Sequence, residues 1–283
     1  MENMQGQLAL EGLPEKLVRV TPARLSTWEQ CPRKYRMAYV DQPSPSRAGA
    51  SASSTLGAVV HNALRAFFEL PAEQRTAGRA AALVRQYWRS EGFSGPEQAA
   101  AHRARAQEWV QAYVEQLEPG FAPVAVERWV SAPVGTIIAE GRVDRIDDRD
   151  GQLVVVDYKT GRSGVRSVDA GKSLALALYA LAVSHHMRRP CRRVELHHLP
   201  TGTTVGWDHS EQSLADLRSK AERLAAELQA ATDAFQAETT EVGEAMFPAR
   251  PGKRCAFCEF RQHCPEGQQA APETAPWASL EDL

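Results

Sequence analysis

The stretch GRVDRIDDRDGQLVVVDYK occupies residues 141–159 and contains two runs of β-branched residues joined by Asp150-Gly151. An Asp-Gly pair between two such runs is a strong signal for a two-residue hairpin turn. With this turn, the register of the two strands places Asp144 directly across the ladder from Asp157. The stretch therefore predicts an antiparallel hairpin that carries two facing carboxylates.

The second arm of this hairpin is apolar on both of its faces, which predicts a central, buried strand. Because side chains alternate along a strand, Lys159 lies on the same face as Asp157. Carboxylates that face each other at the end of a buried strand repel unless a cation lies between them, and Mg²⁺ or Mn²⁺ suits such oxygen ligands. The ammonium of Lys159 would then orient a water or stabilise charge on a phosphate. The alternative is an ordinary surface ion pair between Asp157 and Lys159.

The cysteines are concentrated near the end of the chain, where three fall within ten residues: Cys255, Cys258 and Cys264. In a chain without an export signal, this spacing predicts metal or cluster ligation rather than disulfides. A fourth ligand is needed, and its candidates are Cys31, Cys191 and His263. The spacing alone favours structural Zn²⁺. Cys191 starts a predicted strand and fits a buried free thiol better. Arginines and lysines flank both cysteine segments, which predicts a positive surface for a nucleic-acid backbone.

The composition is that of a soluble globular protein, with 43 % hydrophobic and 24 % charged residues in a chain of 283. The net charge of −2 excludes a uniformly basic nucleic-acid-binding protein. No apolar stretch is long enough to span a bilayer, and the N-terminus lacks the pattern of a signal peptide. We therefore expect a cytoplasmic protein without a membrane segment. The chain has no phosphate-binding loop of the kind found in ATP motors.

The order of predicted helices and strands indicates an α/β fold, a mixed sheet flanked by helices. We expect a flexible leader over residues 1–21 and a core over residues 22–208 that contains a helical insertion at about 71–117. A helix and the cysteine cluster form a C-terminal cap over residues 209–265. Residues 266–283 are acidic and are expected to form a flexible tail.

These features together resemble the RecB-like branch of the PD-(D/E)xK nucleases. Within that branch the chain is most similar to the subgroup with a four-cysteine iron–sulfur site, as in the AddB nuclease domain and CRISPR-associated single-strand exonucleases. The matching segments follow the order of the family and are residues 24–35, 57–61, 141–147, 156–161, Tyr179 and the cysteine triplet. Because the resemblance covers most of the chain, it implies a restriction-endonuclease-like core with an iron–sulfur cap.

The resemblance also implies roles for individual residues. The metal ligands would be His61, Asp144, Asp157 and the carbonyl of Tyr158. Lys159 would be the catalytic lysine, and Tyr179 would help to position the substrate backbone. A [4Fe–4S] cluster would be held by Cys31, Cys255, Cys258 and Cys264, in place of the zinc that the spacing favours. Without the resemblance, His61 on an apolar helix is better interpreted as a packed core histidine.

One position departs from the family. The helix of Tyr179 usually carries a glutamine one turn earlier, where this chain has Ala175. We expect a metal-dependent DNA nuclease, a single-strand exonuclease of repair or recombination, with a separate helicase as a candidate partner. The alternatives are a DNA- or helicase-binding module with weak or vestigial hydrolysis, and a zinc-stapled protein that binds a partner.

The leader contains a peptide, Gln7-Leu-Ala-Leu10, that faintly resembles sequences that dock on sliding clamps. Glu11 stands where those sequences have an aromatic residue. We therefore do not expect a clamp contact.

Overall fold

The computed structural model describes residues 17–237 and 245–280. Its strands are β1 (Val18–Val20), β2 (Ala125–Val134), β3 (Ile137–Arg149), β4 (Gln152–Lys159), β5 (Cys191–His198) and β6 (Thr203–Asp208). The α-helices are α1 (Pro22–Gln30), α2 (Pro32–Tyr39), α3 (Ala52–Glu69), α4 (Ala77–Tyr87), α5 (Pro96–Glu115), α6 (Ser167–Lys172), α7 (Leu174–Met187), α8 (Glu211–Ala237) and α9 (Pro265–Ala270). The strands form one mixed sheet with helices around it, which confirms the predicted α/β fold class.

The long strand β3 organises the sheet. Strand β2 pairs with it antiparallel along one edge, while β1 runs parallel and β4 antiparallel at opposite ends of the other edge. Strand β5 then runs parallel to β4, and β6 closes the far edge antiparallel to β5. Strand β3 therefore pairs with three other strands.

The β3–β4 hairpin has the register that the Asp-Gly turn predicts. Arg149 lies opposite Gln152, and the ladder continues without a shift to Arg145 opposite Val156. The turn residues Asp150 and Gly151 have φ angles of 53° and 86°, as a two-residue turn with the right twist requires. Beyond the last pair, the same register continues to Asp144 and Asp157, and the charge of Asp144 is near enough to raise the pKa of the Asp157 carboxyl.

Strand β4 is buried on both faces, which explains its uninterrupted apolar run. Leu153 and Val155 belong to a core with α1, α7 and α8, whereas Val154, Val156 and Tyr158 belong to a second core with α3, α4 and α5. Full burial of one such side chain contributes about 1.5–3 kcal/mol. The strand is therefore a rigid base for the polar residues at its C-terminal end.

The sequence predicts one helix over residues 24–39 that starts after Thr21-Pro22, and this prediction is wrong, because the structure has two helices that meet at Cys31. Cys31 has an extended backbone with φ −165°, and Pro32 begins α2. A residue before proline avoids the helical region because the proline ring collides with its backbone. The same Cys-Pro pair recurs where Cys264 precedes α9. In both places the proline breaks the helix at the cysteine.

The two ends of the described chain contain more structure than the sequence predicts. Residues 18–20, which fall in the predicted leader, form β1, while Gln7-Leu-Ala-Leu10 lies outside the described residues. The stretch predicted as a flexible tail contains most of α9, and Leu280 there is buried against the core around α3. In residues 17–237 and 245–280, no helix is long and apolar enough to cross a membrane.

Candidate active site

Strands β3 and β4 bring Asp144 and Tyr158 into direct contact where their ladder ends. The backbone N–H of Tyr158 donates a hydrogen bond of 3.0 Å to Oδ2 of Asp144. The Asp144 side chain is 14 % exposed, and its second oxygen, Oδ1, faces His61.

Helix α3 supplies His61, which lies between the two residues of this contact. The Nδ1 atom of His61 is 3.3 Å from Oδ1 of Asp144, and its Nε2 atom is 3.2 Å from the carbonyl oxygen of Tyr158. Burial of the ring lowers the pKa of His61, but Asp144 and Glu127 outweigh it and raise this pKa to about 10. A protonated His61 ring can therefore donate hydrogen bonds both to Asp144 and to the carbonyl of Tyr158.

Glu127 on β2 is the site residue that the sequence interpretation missed. Its Oε1 atom is 3.7 Å from Nδ1 of His61, and the β2–β3 register places it opposite Asp144. His61, Glu127 and Asp144 each offer a ligand atom within 4.8 Å of the others. Glu127 has a φ of 46°, a left-handed backbone that is costly outside glycine and is often found at functional sites. Applying the hairpin argument to the turn at Gly135 would have found Glu127.

Asp157 and Lys159 continue this site along β4. The Nζ atom of Lys159 is 2.5 Å from Oδ2 of Asp157, and 47 % of the lysine side chain is exposed. Burial raises the pKa of the Asp157 carboxyl; Lys159 opposes this rise, and the charge of Asp144 adds to it. Asp157 is therefore an acidic group under charge repulsion from Asp144, and its lysine partner extends toward the solvent.

Tyr179 on α7 closes the other side of the site. A Cβ atom at Gly141 would lie 2.9 Å from the ring and hydroxyl of Tyr179. Because glycine has no side chain, the Tyr179 ring can pack directly against β3. Burial, together with the charges of Asp144 and Asp157, raises the pKa of Tyr179 to about 12, which keeps its hydroxyl a donor. Ala175, one turn earlier, offers no polar group there.

A buried polar network supports the site from behind. Arg145 is 1 % exposed, and its Nη1 atom donates to the hydroxyls of Tyr158 at 3.2 Å and Tyr113 at 2.6 Å. Its Nε atom lies 2.8 Å from Oδ1 of Asp147, which is also fully buried. Because the ring of Tyr158 is fixed in this way, its backbone N–H and carbonyl are held toward Asp144 and His61.

One open cavity of about 450 Å³ is lined by His61, Glu127, Asp144 and Tyr179, whereas Asp157 and Lys159 are not among its lining residues. The family model described as "PD-(D/E)XK nuclease superfamily" matches residues 19–265. The chain belongs to the PD-(D/E)XK nuclease superfamily. Membership implies phosphodiester hydrolysis with divalent metal ions, and the cluster of His61, Glu127 and Asp144 provides donors of the required kind.

The other comparisons show only that this nuclease has a fold similar to that of solved structures. No curated protein matches its sequence. The crystal structure of a "Putative exonuclease" from Eubacterium rectale is similar with a TM-score of 0.50 and 10 % identity, over 93 % of each chain. A second solved structure, of SSO0001, has a TM-score of 0.38 and 14 % identity over 91 % of each chain.

The nuclease has a second cluster of ligand-type side chains at the meeting point of its two chain ends. A cavity of about 560 Å³ is bordered by four cysteines, namely Cys31, Cys255, Cys258 and Cys264. The two other candidates for a fourth ligand lie elsewhere. Cys191 is buried at the start of β5, and burial raises its pKa to about 12. The Nε2 atom of His263 is 3.0 Å from the carbonyl oxygen of Ser46.

Gly267 leaves space beside two of the thiols at this cavity. The N–H of Gly267 donates to Sγ of Cys264 at 3.4 Å. A Cβ atom at Gly267 would lie 3.3 Å from this sulfur and 3.6 Å from Sγ of Cys255, so the glycine keeps a side chain away from the thiols.

The basic residues around the cysteines are partly neutralised by acidic partners. Lys34 is 3.1 Å from Glu259, and Arg33 is 3.7 Å from Glu266. Lys253 and Arg254, in contrast, have exposed side chains on the rim of the same cavity. The predicted positive surface is therefore carried more by the C-terminal segment than by α2.

Proposed function

We propose that this chain is a metal-dependent DNA nuclease of the RecB-like branch that degrades single strands from an end. The observation that supports it most directly is the convergence of His61, Glu127 and Asp144 beside the Asp157–Lys159 pair. Exonuclease action, single strands and a role in repair or recombination come from the resemblance of the ordered motifs described above.

We assign the metal to His61, Asp144, Asp157 and the carbonyl oxygen of Tyr158, with Glu127 as a further acidic donor. The donor set is rich in oxygen and contains one imidazole, which suits Mn²⁺ as well as Mg²⁺. A divalent ion bound there polarises a phosphate oxygen and lowers the pKa of a water. His61 must release its proton before it can bind an ion.

The other site residues act on the substrate. Lys159 carries its charge on a side chain that is 47 % exposed, and it stabilises negative charge that develops on the phosphate. Tyr179 stays protonated at neutral pH because its pKa is raised to about 12, so it donates a hydrogen bond to the nucleic-acid backbone. The ion pair with Asp157 holds the Lys159 side chain beside β4. It thereby fixes the distance between the ammonium group and the proposed metal ligands.

The four cysteines that border the second cavity are proposed to hold a [4Fe–4S] cluster. Thiolates are the protein ligands of such clusters, four of them border one cavity, and the resemblance to the iron–sulfur subgroup supports a cluster rather than one zinc ion. The cluster would link the α1–α2 junction to the C-terminal segment. Its role is then structural, because it joins the ends of the chain beside the nuclease core.

The nuclease proposal is tested with end-labelled single-stranded DNA and protein purified without oxygen, in Mg²⁺ or Mn²⁺. Asp157→Ala and Lys159→Ala should both lower the cleavage rate, the lysine variant by about 10²–10³-fold. They should differ in Mn²⁺ affinity, because Asp157→Ala removes a ligand and Lys159→Ala removes only a nearby positive charge. Lys172→Ala, a change of an exposed lysine, is the matched control.

Wild-type cleavage by the Lys159→Ala variant would contradict the proposed chemistry. Binding of single strands without cleavage in either metal would instead favour the alternative of a binding module with vestigial hydrolysis. Labels at the 5′ and 3′ ends give the polarity of degradation in the same experiment.

The cluster proposal is tested by iron and sulfide analysis and by the visible spectrum. Cys258→Ser should give colourless, poorly soluble protein, because loss of a ligand releases the link between the chain ends. Cys191→Ser should stay brown, since this thiol is buried in β5 away from the cavity. A brown and stable Cys258→Ser protein would exclude this ligand set, and a colourless wild type with bound zinc would favour a zinc staple.

A further inference from the structure

Trp129 is the large apolar side chain that stands out on the rim of the candidate active site. It lies on β2 and is 55 % exposed, and it lines the same cavity as His61 and Asp144. An indole left in water gives up most of the stabilisation that its burial would provide. We therefore expect a ligand that binds in this cavity to cover the tryptophan ring.

Arg142 is the cross-strand neighbour of this tryptophan. The β2–β3 register places the two residues directly opposite each other, where side chains on one sheet face are in contact. The Nε atom of Arg142 is 2.8 Å from Oε2 of Glu127, and the arginine side chain is 63 % exposed. A guanidinium has five N–H donors, so Arg142 holds the glutamate and still presents donors to a phosphate.

An exposed aromatic face beside an exposed arginine fits one chemical class, an unstacked nucleotide. A nucleobase stacks on an indole regardless of its identity, and its phosphate pairs with the guanidinium. Bases in a duplex are already stacked and paired, so a single strand or a frayed end is the form that offers a free face. The chemistry therefore selects single-stranded nucleic acid at this rim.

The position along β2 fixes which nucleotide this is. Trp129 is two residues from Glu127, and two residues of a strand span about 6.6–6.8 Å. The ring is thus separated from the metal-ligand cluster by about the reach of one nucleotide. We infer that Trp129 and Arg142 form a stacking platform for the nucleotide that adjoins the scissile phosphate. This inference rests on the proposed nuclease function and adds the substrate contact that makes the site selective for single strands.

The test combines protein variants with strands that lack one base. Oligonucleotides carry a single abasic nucleotide at each position around the cleaved bond, and their cleavage is measured in Mn²⁺. Binding is measured separately by fluorescence anisotropy without added divalent metal. The variants are Trp129→Ala, which removes the ring, and Trp129→Phe, which keeps an aromatic face. Trp207→Phe is the matched control, because Trp207 lies on the edge strand β6 with its ring over Gly171.

On intact strands, Trp129→Ala should raise both the KM for cleavage and the Kd by roughly 5- to 150-fold, the range for loss of one stacked base. Trp129→Phe should recover most of this loss, and Trp207→Phe should match the wild type. On the strand that is abasic next to the cleaved bond, the wild type and Trp129→Ala should become equal. This equality is the readout that a merely structural role would not produce.

Two results would overturn the platform: equal binding of intact strands by the wild type and Trp129→Ala, or the same loss in Trp129→Ala on intact and abasic strands. Failure of the nuclease proposal is separate, because it shows as no cleavage by the wild type in either metal. The anisotropy measurement still tests the platform in that case. A wild type that binds no single strand at all would refute the platform as well.

Discussion

Asp144 and Tyr158 are joined by a side chain to main chain hydrogen bond, since the N–H of Tyr158 lies 3.0 Å from Oδ2 of Asp144. One oxygen of the carboxylate is thus used to fasten the end of β4 to β3. The other oxygen faces His61 at 3.3 Å and is the one oriented toward the proposed metal position. Under that proposal, Asp144 has a structural role on one oxygen and a ligand role on the other.

Substitutions at Asp144 should separate these two roles. Asp144→Asn keeps an oxygen that accepts from Tyr158, so the free energy of unfolding should change little while Mn²⁺ affinity and cleavage fall. Asp144→Ala leaves the Tyr158 N–H without its partner and should cost about a further 1–3 kcal/mol. Urea unfolding, Mn²⁺ titration and cleavage assays measure the three quantities. Asp148→Asn, which changes an exposed aspartate on the same strand, is the control. Equal stability of the Asn and Ala variants would contradict the structural role.

Because Glu127 has a left-handed backbone, we expect glycine to destabilise the protein less than alanine at this position. Both Glu127→Gly and Glu127→Ala remove the carboxylate and should weaken Mn²⁺ binding. Glycine adopts the observed φ of 46° without strain, so the Gly variant should be more stable than the Ala variant by about 1–2 kcal/mol. At Arg128, which does not have a positive φ, the same Gly and Ala pair should show the opposite order. Thermal or urea unfolding of the four proteins decides the sign.

Gly267 should be sensitive to any added side chain. A Cβ atom there would lie 3.3 Å from Sγ of Cys264, closer than ordinary van der Waals contact. Gly267→Val should therefore lower the iron content per chain, and Gly267→Ala should do so to a smaller extent. Gly252, which borders the same cavity, has open space at its Cβ position, so Gly252→Ala should keep the wild-type iron content. Full iron loading of Gly267→Val would show that this glycine does not make room for the cluster.

Glu195 on β5 should contribute to stability in a way that depends on pH. Its carboxylate accepts hydrogen bonds from Arg149, Arg193 and His197, and these outweigh the effect of burial and hold its pKa well below the ordinary 4.5. A lowered folded-state pKa gives stability that is fully present above about pH 4.5 and is lost as the pH falls below that value.

Glu195→Gln should therefore lower the free energy of unfolding at neutral pH by about 1.5–3 kcal/mol. The difference from the wild type should shrink below pH 4.5, where the wild-type carboxylate takes up its proton. Glu211→Gln, at an exposed ion pair with Arg192, should change stability little at any pH. A constant difference between Glu195→Gln and the wild type from pH 7 to pH 3 would contradict the assigned pKa shift.

The hairpin was predictable from sequence because one local signal determined it. The Asp150-Gly151 turn sets the register, and the register brings Asp144 to the level of Asp157. The break at Cys31 was also encoded locally, in the proline that follows it, but a continuous polar-apolar pattern obscured it. Local signals of this kind act within a few residues, and for that reason they can be read without a structure.

Other parts of the site depend on contacts between distant segments. Glu127 is an intermediate case, because the β2–β3 hairpin was open to the same local argument, whereas its left-handed backbone has no sign in residues 125–134. The docking of α2 beside the C-terminal segment places Cys31 at the same cavity as the cysteine triplet, and Cys191 and His263 are not among the residues that line it. The pairing of Lys34 with Glu259 follows from the same docking, and it reduces the positive surface that the flanking basic residues predicted.

The meeting of the two chain ends has a consequence for the time course of synthesis. The Arg33 side chain donates to the carbonyl of Phe247, and the Arg250 side chain donates to the carbonyl of Glu29. A ribosome releases the N-terminal helices long before it releases these partners. During translation, α1 and α2 therefore lack these contacts until the C-terminal segment has been made. The cysteine cavity is completed only when Cys264 leaves the ribosome. A polypeptide that is truncated before that point would lack the complete cavity, so insertion of the proposed cluster would mark chains whose synthesis has passed Cys264.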